Sequence, residues 1–135
     1  MHMSAGFPAN LAPRVLSIVR VVSAYLFVLH GSAKHLKIPF IEAMASVSPT
    51  SLSGIAGWLE LVGGFLLLLG LFTRPVAFVL SGLMAFAYFI AHAPATPFFP
   101  LMNGGESAVL FCFIFLYFSV AGGGSWSIDA LRSRR

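Results

Sequence analysis

Between Leu52 and Phe72 the chain is an almost unbroken apolar run that carries one charge, Glu60, and closes on Thr73-Arg74-Pro75. A bilayer core of about 30 Å is crossed by about 20 apolar residues in helical form, so this run is long enough to span a membrane. The carboxylate inside it is the feature that most restricts the rest of the chain. An ionisable side chain at the centre of a span costs at least about 2.5 kcal/mol on insertion scales. Glu60 therefore needs a partner, a proton or a polar cavity, and the remaining helices have to supply it.

The remaining residues are of the same kind. Of 135 residues, 59% are hydrophobic and 9% charged, against about 25% charged in soluble domains. The expected fold class is all-α, a four-transmembrane-helix antiparallel bundle in one integral membrane domain over residues 12–129. Its spans are expected over about 12–34, 52–72, 75–92 and 106–121. Residues 1–11 read as a disordered tail and 130–135 as a basic cytoplasmic tail. Val15 to Leu29, followed by Gly31-Ser32-Ala33, resembles the core and cleavage site of a signal peptide. Arg20 interrupts that run and further spans follow, so it reads as a retained first helix.

The connections carry their own signals. In the segment after the first span, Ile38, Phe40, Ile41, Met44 and Val47 fall at roughly helical spacing, which suggests a short interfacial helix. Pro75 suits the first turn of the third span. The segment 93–105 is rich in proline and phenylalanine and is expected at the membrane interface. Gly122-Gly123-Gly124 stops the fourth span, Trp126 sits where an interfacial anchor belongs, and Ser127 is placed to cap a short surface helix. Arg14, Arg74, Arg132, Arg134 and Arg135 fall on one side of this layout, and Lys34 and Lys37 on the other. The positive-inside rule then puts both termini in the cytoplasm, which for a bacterial protein means a multi-pass protein of the inner membrane.

With that topology the ionisable groups sort by depth. At 1.5 Å per residue, His30 lies roughly 6 Å below the outer boundary and Glu60 roughly 12 Å. Lys34 is at the rim, and His92, Asn103 and Glu106 lie at the outer ends of the third and fourth spans. Arg20 alone is in the inner half. His30 and Lys34 share a face, as do Tyr88 and His92, each pair being four residues apart. Gly57 and Gly64 flank Glu60 on one stripe and turn it toward the bundle. The ligand-pocket candidates are Arg20, His30, Lys34, Glu60, Tyr88, His92, Asn103 and Glu106, with Glu60 and His30 the candidate catalytic pair. Depth favours His30 as the partner of Glu60, with Lys34 and Arg20 as alternatives.

Plainer roles stand beside these. Glu60 can be a structural ion pair that fixes helix register. Asn103-Gly104-Gly105-Glu106 has capping-box spacing, with Asn103 as the cap. The histidines can be wetted side chains near the interface, and Lys34 and Lys37 can be snorkelling anchors. The scattered basic residues form no helix face beside an aromatic platform, so no nucleic-acid partner is indicated. Cys112 is alone, which excludes an internal disulfide or a CxxC pair. No spacing demands a metal.

The ordered set Arg20, His30-Gly31, Lys34, Glu60-Leu61-Val62-Gly63-Gly64, Leu69-Gly70-Leu71-Phe72-Thr73-Arg74, Asn103-Gly104-Gly105-Glu106 and Gly122-x-Gly124-x-x-Ser127-x-Asp129 resembles the DoxX family of small four-helix membrane proteins. The resemblance covers about Arg14 to Asp129. It implies a likeness to membrane subunits of quinone-reducing thiosulfate oxidoreductases, and to members found in redox complexes with soluble sulfur-transfer and superoxide-detoxifying enzymes. The family offers no agreed catalytic residues, so only motif positions carry over.

Two functions are therefore expected in competition. One is a redox-associated subunit with a quinone or small sulfur compound in an outward-facing polar pocket, working with a soluble oxidoreductase or sulfur-transfer partner. The other is a non-enzymatic scaffold or small permeability protein whose buried charges only lock the bundle. A pore would then require a homo-oligomer, because four short helices leave little room for alternating access.

Overall fold

The structure, a computed structural model, describes residue 6 and residues 8–135. Residues 1–5 and 7, most of the tail expected to be disordered, lie outside the described residues. Among the described residues the chain is helical and without strands. The elements are α1 (Leu11–His35), α2 (Glu42–Ala45), α3 (Leu52–Leu69), α4 (Thr73–Ala87), α5 (Pro100–Asn103), α6 (Glu106–Ala121) and α7 (Ile128–Arg132). A π-helical turn, Tyr88–His92, continues α4. α1, α3 and α4 with its π-turn are long and apolar enough to cross a membrane, while α6 is a shorter apolar helix of 16 residues. At 1.5 Å per residue α6 is about 24 Å long.

Capping chemistry explains where these helices begin and end. Ser51 opens α3, its hydroxyl accepting from the Gly54 N–H at 3.0 Å. Gly70 ends α3 earlier than Phe72, where the apolar run alone places the end. Gly70 takes the left-handed conformation (φ 67°), and the N–H groups of Gly70 and Leu71 turn back onto Leu67 and Leu66. α4 then starts at Thr73 rather than Pro75, because its free amides have an external cap. The Asp129 carboxylate accepts from the Phe72 N–H at 2.9 Å and the Thr73 N–H at 2.8 Å. Phe72 itself sits at φ 51°, with the Arg132 guanidinium 5.1 Å from its ring centre. The short helix expected after Ser127 is α7, which runs to Arg132 with Ser127 accepting from the Ala130 N–H at 3.1 Å as its cap. The capping box expected at Asn103 does not form. Asn103 ends α5, its side chain is committed to neighbouring loop groups, and α6 begins at Glu106 with no side-chain cap.

α1 packs along α3, and α4 along α6. A Cβ on Gly31 would lie 2.6 Å from the Gly57 carbonyl oxygen and 2.7 Å from the Leu61 nitrogen, so the α1 and α3 backbones touch there. Between α4 and α6, the Ser81 hydroxyl donates to the Cys112 carbonyl at 2.7 Å. The core joining the two pairs is built from Phe27, Leu67, Ala77, Leu80, Phe111, Phe115 and Phe118, with Phe27 edge-on to Phe115 at 4.8 Å. Gly31→Ala is expected to destabilise by about 1–3 kcal/mol, since backbone atoms cannot step aside. A Cβ on Gly82 meets nothing within 4 Å, so Gly82→Ala is expected to be neutral or to stabilise by up to about 1 kcal/mol. Thermal unfolding of the two variants in detergent checks the contrast.

Candidate functional site

The ionisable residues divide between the two ends of the helices. At the Gly70 end, Arg20 is 1% exposed, and every nitrogen of its guanidinium is bound to backbone. Nε donates to the Gly123 carbonyl at 2.9 Å, Nη1 to Leu67 and Leu68 at 2.8 and 3.0 Å, and Nη2 to Trp126 at 2.6 Å. Leu67 and Leu68 belong to the last turn of α3, whose carbonyls lack helical partners and carry the negative end of the helix dipole. The cation is thus matched to peptide dipoles, with no carboxylate in ion-pair reach among the described residues. Ser17 joins the clamp, accepting from the Trp126 N–H at 2.9 Å. A Cβ on Gly70 would run into the guanidinium, so the residue that ends α3 also makes space for Arg20. Arg20 neither reaches Glu60 nor lines the cavity described below.

Asp129 completes this end. Burial pushes its carboxyl up, but the N–H bonds from Thr73 and Phe72 and the nearby Arg132 charge outweigh burial and hold it below the usual carboxylate range. A carboxyl depressed in the folded state adds stability above the unfolded pKa and loses it as pH falls through the folded value. Wild type is therefore expected to lose stability below about pH 4, whereas Asp129→Asn is expected to be less stable at neutral pH by about 1 kcal/mol and flatter in acid. Unfolding midpoints from pH 3 to 7 check both.

At the opposite end, Glu60 is 5% exposed and paired with Lys34, whose Nζ lies 2.9 and 3.0 Å from the two carboxylate oxygens. Depth alone points to His30, but Lys34 is the partner, and Gly57 is the reason. A Cβ on Gly57 would come within 2.9 Å of the Lys34 Cδ. With that face bare, the lysine stem crosses α3 and reaches one turn inward to Glu60. Lys37 is also engaged, donating to the Lys34 carbonyl at 2.7 Å near the end of α1.

His30, Lys34, Glu60 and His92 line one cavity of about 750 Å³, whose other walls are mainly apolar. The His30 ring meets Phe111 edge-on at 5.9 Å, and its nitrogens have no protein hydrogen-bond partner among the described residues. His92 Nδ1 lies 3.1 Å from the Asn103 carbonyl, an acceptor, so Nδ1 donates in this bond and Nε2 is not engaged by it. His92 closes the π-turn, and Ile90 and Ala91 from the same turn also line the cavity. Such turns occur often at functional sites.

Tyr88 and Asn103 stand behind this wall. The Tyr88 hydroxyl donates to Pro97 at 2.8 Å and accepts from Asn103 Nδ2 at 3.1 Å, and Asn103 also donates to the Thr96 carbonyl at 2.9 Å. Together they hold the 93–105 segment, while Gly104 rather than Asn103 lines the cavity. Glu106 is exposed at the start of α6 and away from it. His35 was expected to lie in the connection after the first span. It is the last residue of α1, stacked on Trp58 at 3.9 Å and bonded through Nε2 to the Gly54 carbonyl at 2.8 Å. Among the described residues no three His, Cys, Asp or Glu side chains gather as a metal site.

Chemically, the cavity offers an ion pair of zero net charge and two histidines in apolar surroundings. It suits a ligand with a neutral, hydrogen-bonding head. In comparisons with known proteins, a family model described as DoxX matches residues 15–93. A protein of Haemophilus influenzae described as uncharacterized is 44% identical over 127 residues, covering 87% of this chain and 90% of its own length. No solved structure matches.

Proposed function

The chain belongs to the DoxX family, and on that premise we propose that it is a membrane subunit of a redox complex that holds a quinone at the Lys34–Glu60 pair. In this reading residues 12–129 form a four-span domain in the bacterial inner membrane with both termini in the cytoplasm, so the cavity opens in the outer half. The observation that carries it is the cavity itself, an ion pair and two histidines set among apolar walls. Its neutral charge balance separates the two ligands the family suggests. A small sulfur oxyanion would lose its hydration beside a lysine already neutralised by Glu60, which is unfavourable. A quinone head asks for hydrogen bonds and a proton path: a His30 ring N–H, without a protein partner among the described residues, can donate to a quinone oxygen, and His92 Nε2 can take the hydroxyl proton of the reduced quinol. The electrons come from a soluble oxidoreductase or sulfur-transfer partner, since Cys112 alone cannot cycle as a dithiol.

The test is equilibrium binding of a short-chain quinone to the protein in lipid nanodiscs. Saturable binding is expected, weakened at least tenfold by His30→Ala, as loss of one bond to a buried head implies about 1.4 kcal/mol or more. Absence of binding to wild type would favour the scaffold reading, in which the ion pair only fixes helix register. Unchanged affinity in His30→Ala would remove that residue from the site.

A further inference from the structure

The cavity has a side opening as well as polar residues within, and the opening says what kind of molecule fits. α3 and α4 are joined at the Gly70 end and stay in contact to mid-helix, where a Cβ on Gly63 would press on the Leu80 side chain at 2.9 Å. Away from that end they part. The cavity is lined by the first half of α3, up to Glu60, and by the second half of α4 with its π-turn, from Leu83. Ile55, Leu59, Phe86 and Ile90 line it and are also 42–53% exposed on the flank of the helices. These half-exposed lining residues sit on both α3 and α4, which places the open side of the cavity at the gap between the two helices. Ala56 and Ala87, one on each helix, also line the cavity and keep the gap free of bulk.

From this we infer that the site takes a single-chain amphiphile from within the bilayer, with its neutral head at Lys34, Glu60 and His30 and its apolar chain lying between α3 and α4. The rim is hydrocarbon on both sides, so it favours an alkyl or isoprenoid chain over water or an ion. The ion pair at the inner end has no net charge to attract an anionic headgroup. A chain in the gap covers apolar surface on Leu59 and Phe86 while leaving the rest of the molecule among lipids. The bulk of the rim residues would then set which chains are accepted. This inference rests on the cavity being a ligand site, but not on the head being a quinone.

Photolabelling separates the two. The probe is a benzoquinone with a decyl chain carrying a terminal diazirine, added to the full-length protein in dioleoylphosphatidylcholine nanodiscs and mapped by peptide mass spectrometry. Label is expected on Ile55, Leu59, Phe86 or Ile90, well above that on Phe78 and Phe113, which face outward away from the gap. Ala56→Trp and Ala87→Trp, each checked for an unchanged unfolding midpoint, are expected to cut labelling of the gap at least tenfold. Label spread evenly over all outward-facing phenylalanines, or unaffected by both tryptophans, would overturn the inference. Competition distinguishes the head. If a chain-less benzoquinone displaces the probe, both readings stand. If only a plain long-chain alcohol displaces it, the gap is a chain site and the quinone reading fails.

Discussion

Arg20→Met is expected to be the most damaging single substitution in the protein, lowering stability by about 3–5 kcal/mol and the unfolding midpoint in detergent by about 10 °C or more. The side chain is fully buried and binds four backbone carbonyls from two separate segments, the end of α3 and the 123–126 loop. Methionine keeps much of the volume but leaves the Leu68 and Trp126 carbonyls without donors, Leu67 keeping the Gly70 N–H and Gly123 only a 3.4 Å bond from Ser17, and each unsatisfied group costs about 1–3 kcal/mol. The loss is below the simple sum because some carbonyls can turn to water at the helix ends. Arg20→Lys is expected to recover less than half of the loss, since one ammonium cannot match acceptors spread around a planar fork. Circular dichroism melts check both variants. A midpoint within a few degrees of wild type for Arg20→Met would show that the clamp is not what joins α1, α3 and the C-terminal segment.

The second large effect is an asymmetry across the ion pair. Lys34→Met leaves a carboxylate in an apolar cavity, and its expected loss is about 3 kcal/mol. Glu60→Gln leaves a lysine whose long stem can carry its charge back to the boundary, so about 1 kcal/mol is expected. The double variant Lys34→Met/Glu60→Gln is expected to be no worse than Glu60→Gln alone, giving a coupling energy of about 3 kcal/mol in the cycle. Equal losses for the two single variants would mean that water, rather than Lys34, holds the carboxylate.

These two cases also mark how much of the molecule was legible in its residues. The apolar runs located the long helices, and the charge of Glu60 on a glycine stripe pointed it inward toward other ionisable groups. What hydropathy could not resolve was which long side chain reaches which group. Lys34 and His30 lie one turn apart, and the choice turns on a missing Cβ at Gly57, a matter of packing between helices distant in sequence. Arg20 was harder. Its partners are carbonyls, which every residue has, so no side-chain pattern could mark them. The same holds for Asp129, whose partners are the amides at the start of α4. The Gly70 stop was hidden by an apolar run that continues to Phe72, and its second role, clearing space for Arg20, required the folded chain. Asn103 fits a capping pattern, but its Oδ1 accepts from the Gly105 N–H at 2.8 Å instead, while Nδ2 donates to Tyr88 and Thr96.

A ligand held at the Lys34–Glu60 pair is the central expectation. Native mass spectrometry of the protein extracted gently from its own membrane tests this directly. The expected result is a neutral, lipid-soluble adduct on wild type that is lost in a His30→Ala/Glu60→Gln variant still folded by its melting curve. Wild type without any adduct, or an adduct kept unchanged by that variant, would contradict it.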